Sequence, residues 1–391
     1  MRSEPLTGSA QALVPDLELR SAVAGLRSLG RAGISVGALA GDRWAAGLWS
    51  RYASVRAVGP SVRQDPAAFA DRVSSIADLW GPLVVYPSRE ETIDALFGSQ
   101  ARVSQSIVRP FAEPGVLERL RDKRRLGTLA ESAGLLSPRI LASGGPANLA
   151  GTSFAHPVVV KPAYGGLALS SARVVHTELE LATLLASLPD HEPLMLQEHV
   201  SGTLLSLALV IDRDGAVVAR FMERATDTWP VDAGSIRRSV SVAVDEDLVD
   251  SVAGMLGGAG YWGLVQLDFI EARSGRFLLD VNPRYYLGLP LPLACGVNLP
   301  AAWHAVVTGR PTPPLGTYRA GIAYRWLAAD LLAALHGARS GLRPGPGRAR
   351  VGAMWLRDDP VPGALLAGRT IVPAIARGLH RSSTPAARPA P

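Results

Sequence analysis

Cysteine, long apolar runs and lysine are all scarce in this chain. Its 391 residues include one cysteine, Cys295, which excludes an intramolecular disulfide bond and any metal site built from several cysteines. No apolar run reaches the roughly eighteen residues of a membrane-spanning helix; Ala320–His336 comes nearest, and Arg325 and Asp330 interrupt it. Residues 1–20 carry acids and prolines where an export signal needs an apolar core. We therefore expect a cytoplasmic protein with no membrane partner.

Lysine is replaced by arginine almost everywhere. Of the 40 basic residues only Lys123 and Lys161 are lysines, so 40 − 2 = 38 are arginines. Arginine offers a wide planar fork, whereas lysine offers a compact ammonium group on a flexible stem. The two positions that stay lysine therefore predict sites where a compact ammonium group is needed.

The net charge of +6 raises the possibility of nucleic-acid binding. Most basic residues, however, stand singly among acids and form no basic stripe with interleaved aromatics. Only Gly337–Arg350 concentrates arginine. This distribution indicates a solvated surface, and we expect no nucleic-acid partner.

The first part of the chain alternates between helical and strand patterns. Such alternation predicts a small parallel sheet covered by helices. Neither a G-x-G-x-x-G motif nor a P-loop is present, so a dinucleotide or Walker-type site has no support. The strand ends near Ser88–Glu90 are placed to line a cleft. The predicted helices are Ala22–Gly33, Pro66–Leu79 and Glu90–Phe97, and the predicted strands are Ile34–Leu39, Val55–Val58 and Leu83–Tyr86.

The two lysines lie in different kinds of segment. A helix is predicted over Leu117–Gly134, and it carries Lys123. A buried strand, Val158–Val160, leads directly into Lys161 and the Gly- and Ser-rich loop Pro162–Ser171. Such a loop can fold its backbone N–H groups over phosphates; the alternative is an ordinary hairpin loop.

A predicted hairpin, Leu264–Ile270 with Phe277–Asn282, carries the acidic residues of interest. Because strand side chains alternate, Asp268, Asp280 and Asn282 share one face. Two carboxylates and an amide oxygen are ligands typical of Mg²⁺, and the fork of Arg284, just after the second strand, suits a phosphate. The alternative is a solvated outer face with ordinary charges.

One further segment, Glu223–Ser239, is polar and irregular and predicts a mobile loop beside a site. Arg237 and Arg238 within it are candidates for binding an acidic substrate or an acylphosphate. The alternative is a plain surface loop.

In their order and spacing these segments resemble the ATP-grasp superfamily, specifically its carboxylate–amine ligase-like members. The resemblance covers about residues 20–308 and depends on four short motifs. They are DK at Asp122–Lys123, VVVKP followed by Gly165–Gly166, LQEHVSG at Leu196–Gly202, and DVNPR at Asp280–Arg284. Both lysines fall where the family uses lysine for nucleotide phosphates.

The resemblance implies ATP, with Mg²⁺ or Mn²⁺, bound between two α+β subdomains. It implies an acylphosphate intermediate that an amine converts to an amide, with small-molecule substrates. The implied catalytic residues are Lys161 and Arg284, and the implied metal ligands are Asp268, Asp280 and Asn282. The implied nucleotide contacts are Lys123, Lys161, Gly165, Gly166, Gln197, Glu198 and Val200.

The resemblance also implies a division of the chain: a parallel α/β domain at 1–116, a small lid subdomain at 117–195, a metal-bearing subdomain at 196–310, and an extension at 311–391 whose last ten or so residues are disordered. An apolar first unit suits a homodimer. Two departures stand out: Asp280 replaces the usual glutamate, and Leu204–Leu205 replaces a frequent ribose-binding acid. The second departure supports the alternative of an inactive ATP-binding regulatory or scaffold module.

Overall fold

The computed structural model describes residues 11–164, 169, 172–229, 234–335 and 350–369. Within them the strands form three sheets: a five-stranded parallel sheet, a four-stranded antiparallel sheet and a seven-stranded mixed sheet. None of the helices in these described residues combines the length and apolar character that crossing a membrane requires.

The five-stranded sheet occupies the first part of the chain and is parallel throughout, as predicted, in the order β3-β2-β1-β4-β5. Strands β1 and β5 were not expected from the sequence. The strands are β1 (Ala12–Val14), β2 (Val36–Ala40), β3 (Val55–Val58), β4 (Leu83–Val85) and β5 (Ile107–Val108), and the helices are α1 (Arg20–Arg31), α2 (Pro66–Trp80) and α3 (Glu90–Phe97). Since α3 begins just after β4, Glu90 lies at the carboxyl edge of this sheet, where ligands of such sheets bind.

The single helix predicted over Leu117–Gly134 is wrong. The structure has α4 (Pro114–Arg121), a 3₁₀ turn (Lys123–Arg125) and α5 (Leu126–Ser132). The helix breaks because Asp122 is extended (φ −77°, ψ 101°) and its side chain accepts a hydrogen bond from the backbone N–H of Arg124. Lys123 therefore follows a break, and its backbone N–H donates to the carbonyl of Ala163 (2.9 Å).

The four-stranded sheet forms a small unit with a hydrophobic core of its own, separate from the main core. Its order is β6-β9-β7-β8, and every neighbouring pair is antiparallel. Its members are β6 (Ile140–Gly144), β7 (Val158–Pro162), β8 (Arg173–Val175), β9 (Leu194–Glu198), α6 (Pro146–Leu149) and α7 (Glu178–Ala186).

The seven-stranded sheet has the order β14-β13-β10-β11-β12-β15-β16. The predicted acidic hairpin is confirmed as its edge pair, β13 and β14. Its strands are β10 (Thr203–Ile211), β11 (Val217–Trp229), β12 (Ser235–Val242), β13 (Gly263–Ala272), β14 (Gly275–Asn282), β15 (Ala323–Arg325) and β16 (Arg350–Gly352). Its helices are α8 (Glu246–Gly258), α9 (Pro290–Cys295), α10 (Leu299–Thr308) and α11 (Leu327–Leu335).

One further expectation for this region is corrected. The loop predicted over Glu223–Ser239 is wrong, because β11 extends to Trp229 and β12 begins at Ser235; residues 230–233 lie outside the described part. Strands β15 and β16 continue the sheet beyond residue 310, while the domain boundaries themselves stay predictions.

The main core joins the first and third sheets through buried polar contacts as well as apolar ones. Tyr86 Oη and His304 Nδ1 lie 2.8 Å apart, and burial lowers the pKa of His304 to about 4. Arg27 of α1 is 3% exposed, and its guanidinium donates to Asp359 Oδ2 (2.7 Å) and to two backbone carbonyls of the segment 354–359. The chain beyond residue 350 thus returns to its first helix.

Candidate active site

Acids and amides from β13 and β14 form one row, as the alternation predicted. Asp268 pairs with Asp280 across the two strands, and Gln266 pairs with Asn282. A register shift between Asp268 and Phe269 moves Leu278 opposite Phe269, so Leu278 is buried in the core and does not share the acidic face, contrary to the expected alternation.

Asp268 is held in place by neighbouring side chains. Its Oδ1 accepts hydrogen bonds from Ser206 Oγ (2.6 Å) and Gln266 Nε2 (2.7 Å). Burial raises the pKa of Asp268, and the facing carboxylate of Asp280 adds to the rise. Two carboxylates directly opposite each other repel unless a cation lies between them. Ser206 was not singled out from the sequence because Ser alternating with Leu marks no particular chemistry.

The two lysines converge on β14 from different segments of the chain. Lys161, at the end of β7, donates from Nζ to the carbonyl of Leu279 (3.0 Å), while Lys123 Nζ lies 2.8 Å from Asp280 Oδ1. Lys161 is 8% exposed, and burial together with the nearby Lys123 lowers its pKa to about 8 although Asp280 opposes the shift. The sequence prediction that both lysines serve one site agrees with this placement.

Arg284 connects the acidic row to the first sheet. Its Nε donates to Glu90 Oε1 (2.6 Å) and its Nη2 to Asn282 Oδ1 (2.7 Å). Burial would raise the pKa of Glu90, but Arg284, Arg121 and Lys123 outweigh it and lower that pKa to about 2. The sequence named the Ser88–Glu90 strand end as a cleft edge but gave Glu90 no role.

Three residues predicted to contact the nucleotide lie at or just after the end of β9. Gln197 is buried, and its Nε2 donates to the carbonyl of Pro138 (3.2 Å). The carboxylate of Glu198 accepts from the backbone N–H of Arg139 (2.9 Å), and Val200 is half-buried. Their nucleotide contacts stay predictions, and Gly165 and Gly166 lie outside the described residues.

Arg237 and Arg238 do not lie on a loop. Both are buried on β12, and both bind the carboxylate of Asp330 in α11; Arg238 Nε lies 2.9 Å from its Oδ1. Arg237 also lies 2.8 Å from Asp227 Oδ1. Strand pairing and these ion pairs account for the polar character that suggested a loop, so their substrate role stays a prediction to which the structure adds no support.

Glu223 is a buried acid that the sequence did not single out. It lies on β11, is 2% exposed, and accepts a hydrogen bond from Ser239 Oγ (2.5 Å). Burial raises the pKa of Glu223 to about 7. Glu223 was overlooked because it is the first residue of the segment that was interpreted as a loop.

The donor set fits a cation that also binds a ligand's own oxygens. Within the described ranges, no three His, Cys, Asp or Glu side chains group closely enough to hold a metal by themselves. Asp268 and Asp280 face each other beside the Asn282 amide oxygen, a hard oxygen set that Mg²⁺ completes with phosphate and water. With Lys123, Lys161 and Arg284 around it, the arrangement can neutralise a polyphosphate and orient one end of it.

Comparisons with known proteins place the chain among others of similar architecture. No model of a known protein family matches it. Carbamoyl phosphate synthase large chain from Myxococcus xanthus is 25% identical over 249 residues, a match that takes in 58% of this chain and 23% of that protein. The chain thus spans about a quarter of the length of this curated relative.

Solved structures extend the likeness to most of the chain. N5-carboxyaminoimidazole ribonucleotide synthetase from Thermus thermophilus has a TM-score of 0.60 and 16% identity, covering 97% of this chain and 100% of its own. A biotin carboxylase complex from Campylobacter jejuni gives 0.60 and 14%, covering 81% and 74%. L-amino acid ligase from Bacillus licheniformis gives 0.57 and 15%, covering 77% and 75%. At these identities the likeness is one of fold.

Proposed function

We propose that this chain, which has the ATP-grasp fold, is an ATP- and Mg²⁺-dependent ligase that joins a carboxylate to an amine. The observation that carries the proposal is the meeting of both lysines on the acidic strand, at Leu279 and Asp280. In a chain with 38 arginines, the ammonium groups of the two lysines both contact one short stretch of β14, although that strand is far from them in sequence. Nucleotide phosphates beside a divalent cation are the ligand that such a grouping suits.

Asp268, Asp280 and Asn282 would hold Mg²⁺, which when bound supplies charge neutralisation at the phosphates. Lys123 and Lys161 bind phosphate oxygens and give up their present contacts with Asp280 and Leu279 to do so. Arg284 is fixed by Glu90 and Asn282, so its fork needs little reorganisation to steady the transferred phosphoryl group.

The reaction proceeds in two steps. An oxygen of the substrate carboxylate attacks the γ-phosphorus of ATP, the bond to the β-γ bridging oxygen breaks, and ADP leaves with that electron pair. The amine nitrogen then attacks the carbonyl carbon of the acylphosphate, a C–N bond forms, and phosphate departs. Both steps depend on positioning and on charge neutralisation, which is what the basic and acidic side chains of this site provide.

Three names among the similar proteins support a ligase of this class: the amino acid ligase, the ribonucleotide synthetase and the biotin carboxylase. The acid and the amine are not transferred from them. Small molecules are the proposed partners, and the homodimer and the cytoplasmic location stay predictions.

Calorimetry of ATP binding with and without Mg²⁺ tests the nucleotide site, and ADP release tests the reaction. The carboxylate panel is bicarbonate and the twenty standard L-amino acids, and each amino acid also serves as the amine. We expect metal-dependent ATP binding that Lys161→Ala and Asp280→Ala abolish, and ADP release with at least one pair. Binding without any ADP release would favour the inactive module, and absence of binding in the wild type would contradict both.

A further inference from the structure

The carboxyl group of Glu223 shares a sheet face with the metal-binding row but lies two strands away from it. Ser206 of β10 pairs with Asp268 on one side and with Glu223 on the other, so the three side chains point to the same face. Strand spacing puts the backbone of Glu223 roughly 10 Å from that of Asp268. A substrate atom held at Glu223 is therefore close to the phosphates without competing for the metal ligands.

Glu223 carries no counter-charge in the part of the chain that the structure describes. Its one side-chain hydrogen bond there comes from Ser239, and no arginine, lysine or histidine of the described residues lies within ion-pair distance. The titratable groups around it are acidic or neutral: Asp268, Tyr286, Tyr324 and Cys295. Burying a carboxylate in such surroundings is unfavourable unless a cation arrives with a ligand.

The backbone of Gly288, in the loop that follows Arg284, packs directly against this carboxyl group. A Cβ atom at position 288 would lie 2.1 Å from Glu223 Oε1 and 3.1 Å from Tyr286 Cε2. The carboxyl group of Glu223 and the ring of Tyr286 therefore both lie against the backbone of Gly288. Tyr286 is 5% exposed, and its hydroxyl has no hydrogen-bond partner among the described residues.

We propose that the amine substrate binds with its ammonium group against Glu223, in a subsite bordered by Gly288 and completed by the hydroxyl of Tyr286. This assignment rests on the proposed ligase function and names the group that receives the amine. A buried carboxylate and a buried unpartnered hydroxyl together match the donors of an ammonium ion.

The same contact supplies the deprotonation that an ammonium needs before it can attack. One proton passes from the ammonium to Glu223, the freed lone pair attacks the acylphosphate carbonyl carbon, and the C–O bond to phosphate breaks. The second proton leaves with the phosphate as it becomes HPO₄²⁻. The products are the amide, HPO₄²⁻ and protonated Glu223, so atoms and charge balance. A pKa of about 7 for Glu223 suits a proton acceptor near neutral pH.

Two nucleophiles separate this role from a purely structural one. Hydroxylamine is uncharged at pH 7.5 and traps an acylphosphate without needing an ammonium subsite, whereas an amino acid arrives as a cation. Glu223→Gln is compared with Glu271→Gln, a β13 acid of the same sheet that pairs with Arg224 and Arg276. The assays of both variants use the carboxylate substrate with which the wild type releases the most ADP.

We expect Glu223→Gln to raise the KM for the amino acid about 10- to 100-fold. The rate of hydroxamate formation by this variant should stay within about twofold of the wild-type rate, which is the scatter expected of ordinary surface substitutions. Glu271→Gln leaves both unchanged. Gly288→Ala, which places a methyl group in the subsite, reproduces the amine-specific loss and decides the matter if Glu223→Gln does not fold.

Equal losses with hydroxylamine and with the amino acid would overturn the assignment, because they would place Glu223 in the first half-reaction or in the fold. No loss with either nucleophile would overturn it as well. A wild type that gives neither ADP nor hydroxamate would remove the ligase proposal, and the amine subsite would fall with it.

Discussion

Two clusters in this protein are built from the same residue types and differ in their access to solvent. The Glu90 cluster contains Glu90, Arg121 and Arg284; the Asp330 cluster contains Asp330, Arg237, Arg238 and Arg325. Side chains of Glu90 and Arg284 are 23% and 24% exposed, whereas those of Asp330 and Arg237 are 1% and 2% exposed. The two clusters therefore share a composition, and the exposure of their central acids distinguishes them, since Glu90 is partly exposed and Asp330 is buried.

The difference follows from what each cluster joins. Arg284 divides its donors between Glu90, 194 residues away, and Asn282 of the acidic row, so it links the first sheet to the third. Asp330 lies on α11 against β12 and β15 and binds three arginines within one sheet unit. We expect the first cluster to govern turnover and the second to govern stability.

The largest expected effect is on stability. Asp330→Ala removes a carboxylate from among buried guanidinium groups, and we expect the free energy of unfolding to fall by about 3–5 kcal/mol. Denaturant unfolding measures it. The control is Asp358→Ala, whose carboxylate is 39% exposed beside Arg31 and should cost under about 1 kcal/mol. Equal losses in the two variants would contradict the internal role.

The next effect is on turnover. Arg284→Lys keeps the charge but loses the fork that binds Glu90 and Asn282 together, and we expect ADP release to fall about 100- to 1,000-fold. The free energy of unfolding should change by less than about 1 kcal/mol because Arg284 is partly exposed. Arg224→Lys, at an arginine paired with Glu271 away from the row, is the control and should keep full turnover. A large stability loss in Arg284→Lys would contradict the assignment of Arg284 to turnover alone.

The buried side chain of His304 should make the free energy of unfolding depend on pH. The pKa of His304 is lowered to about 4 in the folded protein against 6.5 when unfolded, so the unfolded chain binds the proton first as pH falls. Its contribution therefore lowers stability by about 2 kcal/mol between pH 7 and pH 5. Unfolding of wild type and His304→Gln at both pH values measures it, since the variant should lack this part of the slope. Identical slopes would show that His304 does not titrate in this way.

Lys161, in the candidate active site, also has a lowered pKa, and the effect expected from its titration is the smallest of the four. With a pKa of about 8, Lys161 is charged at pH 7 and mostly neutral at pH 9. We expect the Kd for ATP, measured at one fixed Mg²⁺ concentration, to rise about tenfold over that range. Lys161→Arg keeps its charge and should show a flatter profile. A profile that stays the same in both proteins would assign the pH dependence to another group.

Much of the site could be predicted because local rules fix it. Period-two alternation placed Asp268, Asp280 and Asn282 on one face, and the near-absence of lysine identified Lys123 and Lys161. Strands β2, β3 and β4 of the first sheet were predicted from short apolar segments, whereas β1 and β5 were missed.

The remainder depends on contacts between distant segments. Glu90 gains its contact with the acidic row from Arg284, 194 residues away, which periodicity does not predict. The break at Asp122 has a local cause instead, because its side chain accepts from the backbone N–H of Arg124. Arg237 and Arg238 were misassigned because ion pairs with Asp330 allow charged residues to occupy a buried strand. Polar character alone predicted a loop there.

The contact between Arg27 and Asp359 also bears on the order of events during synthesis. The two residues are 332 positions apart, so the partner of a buried guanidinium in the first helix is made long after that helix. At about 5–20 residues per second, on the order of 20–60 s separate the two on the ribosome. The α1 segment is thus translated long before it can complete its packing.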